Sequence, residues 1–557
     1  MQHSRSLSPA ELLISREISA FQERVLKNWR GHEKEGLYEL VRALDVIAVG
    51  RMLRAEVAQE AERPHEHHCL VGAAVALRPF ISAIQGTGGG VPFAPTNTTY
   101  SEFAHSYLDA CGRLSNLKRL ASLEKHGVAR TQIISPNHLV IRLKPDSLEW
   151  AAREAIFHLR SRYKRDGIDS VAPNEIDWDG LRQRMSSYVD VASEWFIRYD
   201  NDWEIVLAYR DAARDFGIGY FESEALPDDV ALGGRTFGEW KAACEQALGR
   251  VLCHIDFALL LAKKNPIVDL RNVLTIFVRK DDVAEVWQEA GLQAQRIQPT
   301  LNALSLNMES IGDWEDCFET PATYYIDFGK DFYLLPCFGA ISNPYFALFR
   351  HLRRVHEKEW SSGVDRREQV FRQDLATAFP APRFSIPEHG VKLRRPNGSV
   401  LTDIDAVIFD NETGSIALIQ LKWHDVFGRS VREWASRKRN LDIANAWVDK
   451  VMDWIGSQNA ADVAAKLGFR GPRSNFAPQV YVLARYSAAF SGECAQDNRA
   501  TWLGWPELLH GLENAEGADP IAEIPVCVES FRNQFADVGK THEKYEFPTL
   551  TVELYVD

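Results

Sequence analysis

Residues 380–423 hold the feature that most constrains the fold, a series of short apolar runs separated by dense turn signals. Turns are predicted at 396–399 (PNGS) and 411–414 (NETG), because proline presets φ and asparagine and glycine accept turn conformations. Short apolar runs joined by tight turns are typical of β-hairpins. The segment therefore predicts an antiparallel meander of three strands, which excludes an all-helical chain.

Helical patterns flank this meander. One covers 365–379 and is stopped by Pro380; another, rich in arginine, covers 429–455 and leads to an apolar strand at 477–486. The order helix, three strands, helix, strand predicts an α/β domain with a mixed central sheet.

The preceding 345 residues have a mainly helical pattern. Ser8 stands at an N-cap position with Glu11 three residues later, which predicts a capping box ahead of the first helix. A hairpin is predicted over 129–145, and short strands are predicted near 324–341. Further long helices are predicted at 147–165, 179–214 and 237–263.

A chain of 557 residues is too long for one hydrophobic core, so two or three domains are expected. The predicted organisation is a mainly helical region of unknown role (1–345), an α/β domain (346–490) and a C-terminal segment (491–557) that completes or flanks it. A division of the first region, near 86–99 or near 170–180, is left open. The fold class predicted is α+β multidomain.

The composition is that of a soluble globular protein, with 45% hydrophobic and 25% charged residues. No apolar run reaches the roughly 18 residues that a membrane span needs, and the N-terminus lacks the apolar segment of a secretory signal. The eight cysteines are scattered singly, without a CxxC pair. These features predict a cytoplasmic protein in a reducing compartment, without a membrane partner.

Charge is unevenly distributed along the chain. The net charge is −13, yet 361–480 carries about +3 and 481–557 about −8. A phosphate-binding surface requires local positive charge, and only the segment with the meander supplies it. Ordinary surface variation explains so small an excess equally well.

Chemistry-bearing residues gather in this same segment. Asp403 and Asp405 share one face of a strand predicted over 401–409, with Ile404, Ala406 and Ile408 opposite. Gln420 and Lys422 share one face of the next strand, and Glu368 lies on the preceding helix. Hard oxygen ligands of this kind hold Mg²⁺, which activates water for phosphodiester hydrolysis, and a nearby lysine can orient that water.

A helix glutamate, a strand aspartate, a tight turn and then QxK in the next strand resemble the PD-(D/E)xK nuclease superfamily, most closely its Mrr-like branch of type IV restriction enzymes. The resemblance covers about residues 361–490 and implies a restriction-endonuclease-like fold. It implies that Asp405, Gln420 and Glu368 hold Mg²⁺, with Mn²⁺ as a substitute, and that Lys422 orients or activates the attacking water. DNA is favoured over RNA as the substrate, and restriction or antiviral defence is the implied role.

One position departs from the family pattern. Most members have glutamate where this chain has Gln420, and an amide oxygen ligates a metal without adding negative charge. Glu368 or Asp403 would have to compensate. The alternatives are a catalytically inactive nuclease-fold protein that binds nucleic acid or a partner, and a helical scaffold in which the C-terminal fold mediates assembly as a homo-oligomer or with a partner protein.

The basic helix after the lysine supplies candidate nucleic-acid contacts. The resemblance sets such a helix against the nucleic-acid backbone, where cations position phosphates without reading sequence. A solvated helix face is an equally good interpretation. The candidate residues are Arg429, Arg432, Arg437, Lys438 and Arg439.

Overall fold

The computed structural model describes residues 7–57, 64–143, 151–152, 155–156, 158–159, 176–315, 319–423, 431–456, 458–472, 477–488, 496–535 and 540–556; at 55–57, 315, 431–438 and 441 it describes the backbone alone. The described helices are α1 (Pro9–Asn28), α2 (Glu33–Val57), α3 (Pro64–Val71), α4 (Ala73–Ile84), α5 (Thr98–Ser122), α6 (Trp178–Tyr188), α7 (Trp203–Ile218), α8 (Phe237–Lys264), α9 (Leu270–Val273), α10 (Lys280–Glu289), α11 (Ala294–Leu304), α12 (Gly312–Glu315), α13 (Phe338–Ser342), α14 (Phe346–Val355), α15 (Glu357–Asp365), α16 (Arg367–Ala378), α17 (Val431–Ile455), α18 (Ala460–Lys466), α19 (Trp505–Glu513) and α20 (Pro520–Arg532).

The described strands are β1 (Ala129–Ser135), β2 (His138–Leu143), β3 (Val189–Ala192), β4 (Phe196–Tyr199), β5 (Ala231–Leu232), β6 (Arg235–Thr236), β7 (Ile276–Arg279), β8 (Ser305–Leu306), β9 (Tyr325–Phe328), β10 (Phe332–Leu335), β11 (Phe384–Ser385), β12 (Val391–Arg394), β13 (Val400–Ile404), β14 (Ala406–Asp410), β15 (Ile416–Lys422), β16 (Gln479–Ala484), β17 (Thr501–Gly504), β18 (Thr541–Glu546) and β19 (Thr551–Val556). The chain is a mixed α/β protein with a largely helical N-terminal region, as predicted.

The described residues divide into two compact units. The first unit falls within Met1–Ala121, Val171–Ser361 and Phe547–Leu550, and the second unit falls within Ser122–Ser170, Ser362–Glu546 and Thr551–Asp557. The division at 361/362 differs from the predicted boundary at 345/346. The second unit also includes Ser122–Ser170, a segment that precedes its main part in the chain.

Local signals account for the start of the first unit. Glu11 N donates to Ser8 Oγ at 3.2 Å, and Ser8 N donates to Glu11 Oε2 at 2.9 Å, which confirms the predicted capping box. α8 follows the same rule, with Thr236 as its N-cap and Glu239 closing the box. Each box satisfies backbone N–H groups that the first turn of a helix leaves unpaired.

The helix predicted over 179–214 is wrong in its middle. The structure has α6, then the hairpin β3–β4, then α7. Asp202 is the N-cap of α7, and its Oδ1 accepts a hydrogen bond from Ile205 N at 3.0 Å. Ser193 and Glu194 adopt positive φ in the hairpin turn, which a helical pattern does not reveal. The predicted helix 147–165 lies mostly outside the described residues.

Pro64–Ile84 is the one described helical stretch long and apolar enough to cross a membrane, with a mean hydropathy of 1.3. It comprises α3 and α4, and 61% of its most apolar 18-residue window is buried inside the molecule.

The second unit is built on a five-stranded sheet with the order β11-β14-β15-β16-β17. β14 is antiparallel to β11 and β15, whereas β15, β16 and β17 are parallel, so the sheet is mixed as predicted. One face packs against α16, α19 and α20, and the other face packs against α17 and α18. Helices on both faces explain why β14 and β15 are apolar at almost every position.

A second sheet in this unit has the order β1-β2-β19-β18. The predicted hairpin over 129–145 is confirmed as β1 and β2. The C-terminal strand at 551–556 was expected to complete or flank the central sheet; instead it pairs with β2 and β18, and β17 is the strand of the C-terminal segment that joins the central sheet.

Candidate active site

Asp405 lies at a break in the strand predicted over 401–409. Before it, β13 pairs with β12; after it, β14 pairs with β15. Ile404 packs in the core on the α17 side, whereas Ala406 packs on the α16 side, so the predicted grouping of Ile404 with Ala406 and Ile408 is wrong. The break lets β12 and β13 leave the sheet as a separate hairpin, with Asp405 at the point of departure.

Backbone hydrogen bonds hold Asp405 against β15. Asp405 N donates to Ile419 O at 3.1 Å, and Leu421 N donates to Asp405 Oδ2 at 2.8 Å. Ala406, the first residue of β14, is paired with Ile419, and Asp405 N also binds Ile419 O, so the regular register ends at Asp405. The Asp405 carboxylate lies against the backbone N–H of Leu421, the residue between Gln420 and Lys422.

Gln420 and Lys422 alternate with Ile419 and Leu421, which belong to the core on the α16 side. The two polar side chains therefore share the α17 face of β15. The predicted pairing of Gln420 with Lys422 is present in the strand, with Asp405 beside them.

Gln420 has a buried amide with an unpaired acceptor, as do Asn343 and Gln458. Its side chain is buried, with 7% of the residue exposed, and its Oε1 finds no hydrogen-bond donor among the described residues. Leaving a buried acceptor unpaired costs about 1–3 kcal/mol, so such groups are rare unless something else satisfies them. An ion or a water molecule at Oε1 would remove this cost.

Burial dominates the electrostatics of the site. It raises the pKa of Asp405 from 3.8 to about 6, with Glu368 and Asp403 adding to the rise and the Leu421 N–H and Lys422 opposing it. Burial also lowers the pKa of Lys422, and the carboxylates of Asp405, Glu368 and Asp403 oppose that effect. Acidic and basic groups whose pKa values are shifted toward each other are common at catalytic sites.

Glu368 reaches the site from α16, which packs on the other face of the sheet. Its Oε1 accepts a hydrogen bond from Arg372 Nη2 at 2.5 Å. The same guanidinium donates from Nε to Asp405 O at 2.8 Å and is mostly buried. Arg372 therefore links the helix carboxylate to the backbone of the break.

The sequence pattern did not indicate Arg372 as a residue of the site. The i,i+4 spacing from Glu368 predicts a helix ion pair, which is by itself commonplace. Its third contact, to the Asp405 carbonyl, depends on the tertiary structure and has no sequence signal.

A second arginine, Arg485, fixes the end of β15. Arg485 N donates to Lys422 O at 2.8 Å, and its guanidinium lies 4.8 Å from the centre of the Trp423 ring. Arg485 Nη1 also pairs with Asp374 of α16 at 2.5 Å. This arginine holds the backbone after Lys422 against the helix that carries Glu368, and it too was missed.

Asp403 is exposed on β13, where its backbone carbonyl accepts a hydrogen bond from Trp447 Nε1 at 2.7 Å. Its carboxylate influences the pKa values of Asp405 and Lys422, so it belongs to the charge environment of the site.

The donor set fits a metal ion in part. Within the described ranges, no three His, Cys, Asp or Glu side chains come together in a group that could hold a metal. Two oxygen-bearing side chains are present: Asp405, whose Oδ2 accepts a hydrogen bond from Leu421 N, and Gln420, the residue before Leu421. Glu368 is held by Arg372, so it would join them as a ligand only after that ion pair opens.

The predicted nucleic-acid contacts are only partly described. Arg429 lies outside the described residues, and Arg432, Arg437 and Lys438 lie in the part of α17 where the backbone alone is described. Arg439 is exposed on α17.

Comparisons of the chain with protein-family models, with curated proteins and with solved structures gave no match. The functional argument therefore depends on the residues of the site.

Proposed function

We propose that this protein is a metal-dependent nuclease that hydrolyses phosphodiester bonds in nucleic acid, with DNA favoured. The observation that carries the proposal is the hydrogen bond that holds the Asp405 carboxylate at Leu421 N, the residue between Gln420 and Lys422, with the buried Gln420 Oε1 unpaired among the described residues. A carboxylate, an unpaired amide oxygen and a partly desolvated lysine are groups that a site for Mg²⁺ and a phosphate uses.

Each residue has a role in this proposal. Asp405 and Gln420 supply oxygen ligands, and water fills the remaining positions around Mg²⁺ or Mn²⁺. The bound ion would supply Lewis acidity for the phosphate and lower the pKa of a water molecule. Burial lowers the pKa of Lys422, so a larger fraction of this lysine is neutral than of an exposed lysine, and the neutral amine can take the proton from that water.

Arg372 controls the availability of Glu368 in the same scheme. While Arg372 Nη2 binds Glu368 Oε1, that carboxylate is neutralised and serves as a positioning group for α16. Opening of this pair would add a negative charge to a site whose second ligand is a neutral amide.

The wider setting of the proposal follows from the resemblance to PD-(D/E)xK nucleases. We propose a cytoplasmic endonuclease with nucleic acid as its partner, acting in restriction or antiviral defence. The described cysteines are free thiols, which suits a reducing compartment. Arg439 and its basic neighbours on α17 are the proposed contacts to the phosphate backbone.

Cleavage of supercoiled plasmid DNA by the full chain tests the proposal. We expect nicking in Mg²⁺ or Mn²⁺, none in EDTA, and a loss of at least 100-fold in Asp405→Ala and Lys422→Ala. Lys392→Ala, an exposed lysine on β12, is the matched control and should cut at the wild-type rate. Wild-type cleavage by folded Asp405→Ala would contradict the assignment of the site.

A catalytically inactive nuclease-fold protein is the second candidate. It is favoured by the ion pair that occupies Glu368 and by the absence, among residues the structure describes, of a three-residue His, Cys, Asp or Glu group. This candidate predicts that the wild-type chain binds DNA or RNA without cutting either in Mg²⁺ or Mn²⁺.

A further inference from the structure

The second unit has a polar sheet face that the proposed nuclease site does not use. In the sheet β1-β2-β19-β18, one face is closed by apolar side chains, among them the fully buried Leu139, Ile141 and Val552. Side chains alternate between the two faces along each strand, so Arg130 and Arg142 belong to the opposite face. Both arginines are exposed, which leaves this second face open to a partner.

A row of four side chains crosses all four strands on this exposed face. Arg130 of β1 is paired with Arg142 of β2, and Arg142 is paired with Tyr555 of β19. Tyr555 is in turn paired with His542 of β18. The Arg142 guanidinium lies 4.2 Å from the centre of the Tyr555 ring, and the His542 and Tyr555 rings are stacked with their centroids 4.2 Å apart. We call these four residues the cross-strand row; all four carry planar groups.

The arginine end of the cross-strand row is positively charged. Arg130 forms no salt bridge with any residue that the structure describes. It lies directly opposite Arg142, and like charges in directly opposite positions destabilise a pair of strands. Neither β1 nor β2 contains an acidic residue that could separate the two charges. An anion bound between the two guanidiniums would offset their repulsion.

The acidic residues of the same face lie on the other two strands and are bound by neighbours there. Glu553 Oε1 lies 3.0 Å from His138 Nε2, and its Oε2 accepts a hydrogen bond from the Tyr555 hydroxyl at 2.7 Å. Glu546 pairs with Lys544 at 2.5 Å. These contacts reduce the negative charge on β18 and β19, so an anion approaching Arg130 and Arg142 meets little repulsion from them.

The combination of cations and planar groups favours nucleic acid over an acidic peptide. Carboxylates and phosphates both bind arginine, but only a nucleic acid also offers flat rings in series. Unpaired bases stack on aromatic side chains and on guanidinium planes, and a duplex keeps its bases stacked on one another. A sheet face that presents both groups in one row therefore suits a single strand.

We infer that this exposed sheet face binds single-stranded nucleic acid, with phosphates at Arg130 and Arg142 and bases against the cross-strand row. The inference rests on the proposed function, because it takes nucleic acid as the partner, but it requires neither a metal ion nor cleavage. The second sheet then holds a strand whose bases are unpaired.

Fluorescence anisotropy of the full chain in EDTA tests the inference without a cleavage readout. The probes are labelled oligomers of about 12 units, the length that such surfaces hold: deoxythymidine, uridine, abasic deoxyribose phosphate and poly-glutamate. We expect deoxythymidine or uridine oligomers to bind at least about 10-fold more tightly than the abasic oligomer, because stacking adds to the charge interaction. Preference for one of the two base-bearing oligomers distinguishes DNA from RNA.

Variants of the cross-strand row locate the surface. Arg130→Gln and Arg142→Gln should each weaken binding at least about threefold and reduce the slope of log affinity against log salt by about 0.7, the value for one lost phosphate contact. His542→Ala should weaken binding of base-bearing oligomers and leave the abasic oligomer unaffected. Arg470→Gln is the matched control, because Arg470 is an exposed arginine of the same unit outside this sheet, and it should change neither affinity nor slope.

The outcomes separate this surface from the nuclease site. Circular dichroism verifies that each variant is folded. Equal binding of base-bearing oligomers, the abasic oligomer and poly-glutamate would overturn the inference, and so would an unchanged salt slope in both arginine variants. A chain that cuts plasmid but gives either result retains the nuclease and lacks this surface. A chain that binds single strands through the row without cutting in Mg²⁺ retains the surface and lacks the nuclease.

Discussion

Gln420→Glu replaces a buried amide of the proposed metal site with a carboxyl group of nearly the same shape. The new carboxyl would belong to the residue before Leu421, whose N–H binds the carboxylate of Asp405. The pKa of Asp405 is already raised from 3.8 to about 6 by burial and by nearby carboxylates. Gln420 itself has only 7% of its surface exposed, so water cannot screen the added charge. In the absence of a metal we expect this variant to be less stable than the wild type.

The magnitude follows from the raised pKa of Asp405. If the pKa of the new carboxyl rises as far, ionising it in the folded protein costs about 3 kcal/mol, at about 1.4 kcal/mol for each tenfold change in proton affinity. A folded-state pKa above the unfolded value means that the folded state binds more protons, so stability falls as pH rises. The destabilisation should be absent near pH 4, increase up to about pH 6 and have its full size at pH 8. It corresponds to a midpoint lower by about 6–12 °C for a domain of 150–250 residues.

Mg²⁺ should reverse the effect. An ion bound between two carboxylates stabilises the folded state by about 2.7 kcal/mol at a concentration 100 times its Kd. Thermal unfolding followed by circular dichroism at pH 8, in EDTA and in Mg²⁺, measures this. We expect the midpoint of Gln420→Glu to rise more in Mg²⁺ than that of the wild type.

Gln373→Glu is the matched control, because it makes the same change at an exposed position of α16. Exposed substitutions usually change stability by less than about 0.5 kcal/mol, and no Mg²⁺ response is expected there. Equal Mg²⁺ shifts in Gln420→Glu and the wild type would refute the reasoning about the metal. A destabilisation of the same size at pH 4 and pH 8 would show that packing, and not charge, is responsible.

Two further predictions concern buried charges elsewhere. Asp45 is fully buried and accepts hydrogen bonds from Cys337 N and Phe338 N, both at 2.8 Å, and burial raises its pKa from 3.8 to about 7. The folded state binds this proton more tightly than the unfolded state. The free energy of unfolding of the wild type should therefore fall by up to about 4 kcal/mol relative to Asp45→Asn between about pH 4 and 7. Urea unfolding measures the difference, and a difference that stays constant over this range would contradict the prediction. Arg532 pairs with the buried Glu507 at 2.6 Å, so Arg532→Leu should cost about 3–5 kcal/mol by leaving a buried charge unpaired. The double variant with Glu507→Leu should recover part of that loss in the same assay, and a single-variant cost below about 1 kcal/mol would count against it.

Elements specified by neighbouring residues could be predicted from the sequence. The capping box at Ser8 and Glu11 forms because both partners lie within one helical turn. The hairpin β1–β2 forms around a short turn, and α8 covers Phe237–Lys264 where 237–263 was predicted. In each case the interacting groups are close in sequence, so the pattern contains the information.

Predictions failed where distant contacts compete with local pattern. The helix predicted over 179–214 is interrupted by β3 and β4, whose strand pairing outweighs helical periodicity. The predicted continuous strand over 401–409 is broken at Asp405, because β13 pairs with β12 while β14 enters the buried sheet. Period-two alternation cannot show which strand will be the partner.

The sequence alone determined the chemical types at the candidate site, the order of helices and strands around it and the capped and turn-forming segments, since these depend on short-range interactions. Only the tertiary structure decided that Leu421 N binds the Asp405 carboxylate, that Arg372 holds Glu368 and the Asp405 carbonyl together, and that β19 pairs with β2. These contacts join residues that are distant in the chain, and they form because burial of both sheet faces selects one register among many that local propensities allow.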